Sequence, residues 1–597
     1  MTFILVASHA LKASKKAFPI TSNQLIALAK SGSFREFSST NNVKSVLNKR
    51  IKQNKAHSKL LRITVASGIF FVSSYLSLSS YYLSDSGDAN SFRNFSSAKP
   101  VKNSSNISSD SSKQQSIFLL NEDEITRRLR NLEESYFVNR GNGVVRYDIS
   151  QLPSNDPIED DRSEAVITVP IERKNNEVEG GVVKGDGKEV ADFYFWGVYD
   201  GHSGYYTSLK LRDELINYVV SELGSIYKPS EQNPGFRTIP SQELVDDAIK
   251  QGFLKLDEEI VNNSLKKLFE DPYNKQSVIN SLAASSGSCG LLTFYDSSSQ
   301  IFKVAVTGDS RALLGSLNEE NQWTVKSLSV DQTGDNPEEV SRIQNAHPHE
   351  PTAVKNGRVL GSLQPSRAFG DSRYKVKDIN GKSFDSLPEH LKVHFRSAPR
   401  NSKTPPYVTA EPVLTTTKID PSKNDFVVIA TDGLYELLSN EEIVGLVVKW
   451  LEKNNTTSSL KTSSSNWNSL FNSSDQKKLP KIVDVSDPKY KESQRPPFRN
   501  NQTSNQHEFI LEDENVSTHL IRNALSLGGS KEYVSTLVSI PSPKSRKFRD
   551  DLTVTVVFFG DGKDSNDKNV VIGENEGGLE VNLKATRNGR VNAKEKL

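Results

Sequence analysis

Short apolar runs with the alternation, or the β-branched and aromatic enrichment, of strands recur along the chain from about residue 116 onward. They are EAVITVPIE (164–172), DFYFWGVY (192–199), CGLLTFYD (289–296), IFKVAVT (301–307), WTVKSLSV (323–330), DFVVIAT (425–431) and LTVTVVFF (552–559). Helical periodicity separates them. NEDEITRRLRNLEESYFV (121–138) reads as a helix with Asn121 as its cap. In SLKLRDELINYVVSEL (208–223), Leu209, Leu215, Ile216, Val219 and Val220 fall on one face. DNPEEVSRIQNA (335–346) starts a helix with Pro337 in its first turn and acidic residues at its positive end. Blocks of helices mixed with many strands, rather than strict alternation, predict an α+β fold whose sheets are faced by helices.

Four Asp residues stand at the ends of these runs, hundreds of residues apart: Asp200 in FYFWGVYDGHSG, Asp309 in IFKVAVTGDSRALLG, Asp432 in FVVIATDGLYELL and Asp550 in RDDLTVTVVFFG. A carboxylate at the end of a buried strand is costly unless its charge is compensated. Folding can gather four such groups into one acidic pocket, which would be stable around hard divalent cations that prefer oxygen ligands. The pattern therefore predicts a Mg²⁺- or Mn²⁺-dependent hydrolase.

Composition narrows the chemistry. The net charge of the 597 residues is +2, so nothing global points to nucleic acid. The single cysteine, Cys289, excludes a disulfide framework and a cysteine-rich zinc site. No Arg follows it in SSGSCGLLTFYD, as a thiolate phosphatase would require, and it reads as a small buried residue.

The termini read as addresses and spacers. Residues 1–62 hold twelve Lys/Arg and one acidic residue, Glu36, the composition of a mitochondrial transit peptide. Ile63–Leu83 runs 21 residues without a charge, enough for a hydrocarbon core of about 30 Å. A span retained there places the enzyme in the inner membrane facing the intermembrane space; a span that is cleaved or passes through leaves it in the matrix. Residues 84–115 read as a disordered Ser/Asn-rich linker, 454–513 as a disordered insertion, and 562–597 as a polar tail. The terminal Glu-Lys-Leu resembles the peroxisomal signal Ser-Lys-Leu, a weaker second destination.

Asp-Gly alone is also a hairpin signal. Taken in order, however, PIEDDRS, VYDGHSG, SSGSCGLLT, VAVTGDSRALLG, PEEVSRIQNAHP, LQPSRAFGD, YVTAEP, ATDGLYELL and RDDLTVTVV resemble the metal-dependent serine/threonine phosphatases of the protein phosphatase 2C family, over roughly residues 140–561. SNDPIEDDRS, PSRAFGDSRYK and TPPYVTAEP are most similar to its mitochondrial pyruvate dehydrogenase phosphatases. The resemblance implies a four-layer αββα sandwich of two central antiparallel sheets with a binuclear metal site at one end, within a phosphatase domain at 116–561. It implies hydrolysis of phosphoserine or phosphothreonine by in-line attack of a hydroxide bridging two Mg²⁺ or Mn²⁺ ions, with a weaker third ion. Asp200 resembles the bridging ligand, Gly201 a carbonyl ligand, and Asp432 and Asp550 ligands of the other ion. Glu159 and Asp160 resemble holders of metal-bound waters, and Asp309 the third-site ligand. Asp551 stands where the family has Asn, which leaves a one-residue ambiguity about the ligand. The family's phosphate-gripping Arg is absent, with Asn155 as its candidate substitute, and His202 resembles the general acid. The implied partner is a phosphoprotein such as the pyruvate dehydrogenase complex. A pseudophosphatase and a membrane-tethered scaffold are the alternatives.

Overall fold

A computed structural model describes residues 118–141, 143–172, 188–231, 233–454, 478–498, 508–560 and 578–587. Two large, mostly antiparallel sheets dominate. The eight-stranded sheet runs, edge to edge, Val483–Asp484, Trp323–Ser327, Arg311–Leu317, Phe426–Ala430, Leu552–Phe559, Val144–Leu152, Glu134–Val138 and Leu579–Val581. The six-stranded sheet runs Val413–Lys418, Ile301–Thr307, Gly290–Asp296, Lys188–Tyr199, Asp161–Glu172 and Arg237–Thr238.

Alternation along each strand sends side chains to two different cores. Phe193, Phe195 and Tyr199 join a cluster with Leu211, Leu215 and Val219 of the helix Tyr206–Ile226 and Phe253 of the helix Gln242–Glu258. Tyr194, Trp196 and Val198, from the same strand, pack instead with Ile149, Ile429, Val557 and Phe559 of the other sheet. On that sheet Val554, Val556 and Phe558 turn to a third cluster, with Val447 and Trp450 of the helix Asn440–Asn454 and Leu520 of the helix Val516–Leu525. Helices thus flank both sheets.

Local signals place the helices. Asn121 accepts from the Glu124 N–H at 2.9 Å, and the Glu124 carboxylate accepts from the Asn121 N–H at 3.2 Å, a reciprocal cap. The helix stops at Leu129, short of the expected 121–138, because Glu134–Val138 pairs antiparallel with Val144–Leu152. Its Tyr-Phe-Val content suits a pleated surface, and the pairing overrides the helical periodicity. Asn336 caps the helix Pro337–Ala346 through the Glu338 N–H at 2.9 Å.

Two polar stretches are more ordered than their composition implies. Within 454–513, Val483–Asp484 extends the larger sheet beside Trp323–Ser327, and Ser493 is buried, donating from its hydroxyl to the Tyr490 carbonyl. In the tail, Leu579–Val581 pairs with Glu134–Val138. In both places the order comes from hydrogen bonds to a sheet edge and to loop backbone, which low hydrophobicity conceals.

The expected inner-membrane anchoring is corrected for the described residues: among them no helix is long and apolar enough to cross a membrane. The 21-residue helix Tyr206–Ile226 carries Lys210, Arg212, Asp213, Glu214 and Glu222 and buries one face against a sheet. Ile63–Leu83 itself, the basic leader, the 84–115 linker and the Glu-Lys-Leu terminus lie outside the described residues.

One buried histidine gives the larger sheet's helical cover an acid limit. His519 donates from Nε2 to the Leu446 carbonyl at 3.2 Å, while its Nδ1 accepts from the Asn523 amide at 3.2 Å, so the neutral ring is satisfied on both sides. Burial holds it down at about 4, against the opposing field of Asp513. The unfolded chain therefore takes up this proton first as pH falls from 6.5. Stability is intact above 6.5, declines toward pH 4 by about 3 kcal/mol from this group alone, and levels below. Thermal melts of the wild type and His519→Gln should converge in slope above pH 6.5, with the wild type falling more steeply below; parallel curves would remove His519 from the acid limb.

Candidate metal centre

Strand register brings the acidic strand ends to one place. In the smaller sheet, Val198 pairs with Leu291 and Gly290 with Thr307, so Lys188–Tyr199 and Ile301–Thr307 end on the same side. In the larger sheet, Arg311 pairs with Ala430, Ala430 with Val554, and Leu552 with Leu152. The end of Phe426–Ala430, the start of Leu552–Phe559 and the end of Val144–Leu152 therefore coincide. The turn Gly308–Ser310 carries the chain from one sheet to the other and ties these ends together.

Asp200, Asp309 and Asp432 meet there, each with a carboxylate oxygen within 4.8 Å of the others. Burial raises all three above the usual carboxylate range. Asp200 is pushed further by Asp432, Asp160 and Asp309, and Asp309 reaches about 7 by burial and then Asp432. Glu436, one helical turn after Asp432, is pushed up to about 8 by burial and by Asp432 and Asp309. Such a cluster is unfavourable by itself and complementary to a hard cation: every donor is oxygen, and no His or Cys completes a zinc set. Cys289 is buried; its thiol donates to Asp309 at 3.1 Å, and burial raises its pKa well above the ordinary value, which excludes it as a thiolate nucleophile.

The loop before the strand Asp161–Glu172 is shaped by Asp551. Its carboxylate accepts from the N–H groups of Ser154 (2.5 Å), Asn155 (3.2 Å), Glu159 (2.8 Å) and Asp160 (3.4 Å). This separates the two adjacent acids: Asp551 holds the loop, while Asp550 pairs with Arg546 and lies beside Gly433, where a Cβ would stand 3.3 Å from its own. Asp550 is thus next to the triad without being part of it.

Asp160 is buried and accepts from Thr431 at 2.8 Å and Thr553 at 2.7 Å. Glu159 accepts from the Gly204 N–H at 2.7 Å and from the Asn155 amide at 2.9 Å, so Asn155 orients Glu159. Gly201 is required by contact: a Cβ there would meet the Glu159 carbonyl at 2.1 Å.

His202 donates from Nε2 to Asp371 at 2.6 Å. Burial works against its charged form, but Asp371, then Asp309 and Glu159, outweigh it and raise the imidazole. Gly287 makes room for this pair, since a Cβ would lie 2.2 Å from His202 Nε2 and 2.3 Å from Asp371 Oδ2.

Sequence reasoning missed Asp371, Glu436 and Arg546. The first two stand inside AFGD and DGLYE, motifs that were legible without revealing these contacts; Arg546 had only its four-residue spacing from Asp550 as a signal. A cavity of about 400 Å³ opens beside Asp309 and Asp432, walled by Arg495, Pro496, Pro497 and Phe498 from the polar stretch 478–498.

Residues 173–469 match the sequence profile named Protein phosphatase 2C. A mitochondrial [pyruvate dehydrogenase [acetyl-transferring]]-phosphatase 1 of Saccharomyces cerevisiae is 49% identical over 526 residues, covering 85% of this chain and 86% of the relative. A protein phosphatase 2C homolog of Schizosaccharomyces pombe is 39% identical, covering 73% and 85%. A crystal structure of the Toxoplasma gondii serine-threonine phosphatase 2C aligns with a TM-score of 0.33 at 16% identity, covering 66% of this chain and 94% of that one.

Proposed function

Because the chain belongs to the protein phosphatase 2C family, we propose that it dephosphorylates serine or threonine residues of the pyruvate dehydrogenase complex in a Mg²⁺- or Mn²⁺-dependent reaction. The observation that carries the reading is the convergence of Asp200, Asp309 and Asp432 within 4.8 Å. The substrate assignment is supported by the 49% identical Saccharomyces cerevisiae relative, a mitochondrial [pyruvate dehydrogenase [acetyl-transferring]]-phosphatase 1. The three separate hydrophobic clusters support a helix–sheet–sheet–helix order of four layers, with the centre at one end.

Asp200 and Asp432, with the Gly201 carbonyl and Asp550 once released from Arg546, would hold two cations, and Asp309 a third. Bound cations supply positive charge that neutralises the phosphoryl oxygens and acidifies a water molecule. Glu159 and Asp160 accept hydrogen bonds from the water shell, which orients it. Asn155 keeps Glu159 in place and, being neutral, grips phosphate less strongly than an Arg would. His202 donates a proton to the departing serine or threonine oxygen, and Asp371 fixes the ring so that Nδ1 is left for that task. The wall at Arg495–Phe498 faces the residues that flank the phosphorylated one.

The test uses the full chain and a phosphopeptide from pyruvate dehydrogenase beside an unrelated phosphopeptide. Phosphate release should require Mn²⁺ or Mg²⁺, stop with EDTA and favour the pyruvate dehydrogenase sequence. Release that ignores EDTA would contradict the metal centre; no release with added Mn²⁺ would favour a pseudophosphatase.

A further inference from the structure

A second cavity, of about 680 Å³, is lined in part by Pro153 and Asn155–Ile158 and shares no lining residue with the cavity beside Asp309 and Asp432. Its lining carries four arginines, Arg127, Arg128, Arg549 and Arg587, against one acidic residue, Asp156. Its size falls in the range of small-ligand sites.

Arg549 is the informative member. It is only 9% exposed, a rare placement for a guanidinium without a paired carboxylate. Nη2 donates to the Pro153 carbonyl at 2.6 Å and Nε to the Leu537 carbonyl at 3.5 Å, but Nη1 is buried with no partner. The carboxylate whose field it feels most, Asp551, has its oxygens committed to the N–H groups of the 154–160 loop. The neighbouring charge is a like one, Arg128. A buried cation with an unused donor and a like-charged neighbour costs free energy unless an anion completes it. Guanidinium forks match the paired oxygens of a phosphoryl group.

We propose that this cavity binds a phosphate-class anion, separate from the metal centre, with Arg549 at its base and Arg127, Arg128 and Arg587 around its mouth. The anion is either free inorganic phosphate or the phosphoryl group of a small molecule. Occupancy bears on the metal centre through shared backbone. Pro153 accepts from Arg549, Ser154 accepts from the Ser545 hydroxyl at 2.5 Å, and Asn155 lines the cavity while orienting Glu159.

The experiment titrates inorganic phosphate into the full chain by calorimetry, with EDTA present and ionic strength held constant with chloride. Divalent ions are absent, so the result is independent of whether the metal centre catalyses phosphate release. Saturable binding is expected, weakened at least 10-fold in Arg549→Gln and in Arg127→Glu; the latter changes an exposed side chain and keeps the measurement interpretable if the buried variant does not fold. A nucleoside diphosphate that binds more tightly, and is weakened by the same substitutions, identifies a phosphoryl carrier; equal or weaker binding identifies the free anion. No saturable binding to the wild type, or binding that Arg127→Glu leaves unchanged, overturns the proposal.

Discussion

Asp200→Asn is expected to lower phosphatase turnover by about 10²–10³-fold or more, the scale seen when one preorganised electrostatic group is removed from a reacting centre. The change is nearly isosteric, and the backbone around it is independently anchored: the Asp200 carbonyl accepts from the Cys289 N–H at 2.8 Å. What is lost is charge. Asp200 is held above the ordinary carboxylate range by burial and then by Asp432, Asp160 and Asp309, so in the cation-free protein it is one of several repelling groups. Neutralising it relieves that repulsion. The cation-free melting temperature should therefore stay level or rise while activity collapses, the opposite directions expected of a strained functional site. Unchanged turnover would contradict a ligand role for Asp200. A large fall in melting temperature would mean that the carboxylate supports the fold instead.

His202→Ala should have the second largest effect, and it should depend on the leaving group. A serine or threonine alkoxide leaves poorly and needs a proton, whereas an aryl oxide leaves without help. Phosphopeptide turnover should drop by about 10²–10⁴-fold, with a much smaller loss on an aryl phosphate. The geometry behind this is the 2.6 Å contact to Asp371, which anchors the ring by one nitrogen. Equal losses on both substrates would show that His202 positions substrate or ligands rather than donating a proton.

The site was legible in the sequence where one residue reports on its own strand. Asp200, Asp309 and Asp432 close apolar runs, and a buried run ending in a carboxylate is conspicuous in one dimension. The cap at Asn121 and the helix start at Pro337 were legible for the same reason, because helix-start signals are local, whereas the Asn336 cap was not named from the sequence. What escaped was set by distant partners. Asp371 meets His202 across 169 residues. Asp551 clamps a loop almost 400 residues earlier, so the difference between two adjacent aspartates is decided by where their side chains point. The cleft wall at Arg495–Phe498 comes from a segment whose polar composition hides its anchors: Ser493 accepts from the Asp331 N–H at 3.2 Å, Gln494 donates to Ser327 at 3.0 Å, and the Phe498 N–H donates to the Glu436 carbonyl at 3.0 Å. Asn155 donates an amide hydrogen to Glu159, a contact that spacing alone does not reveal.

The most direct measurement is a Mn²⁺ titration of the wild type, Asp200→Asn and Asp432→Asn, following free Mn²⁺ by electron paramagnetic resonance without substrate. The wild type should take up Mn²⁺ saturably, and each substitution should abolish or strongly weaken that uptake while the protein stays folded. Equal stoichiometry and affinity in all three proteins, or no uptake by the wild type, would contradict a shared cation site built by these strand ends.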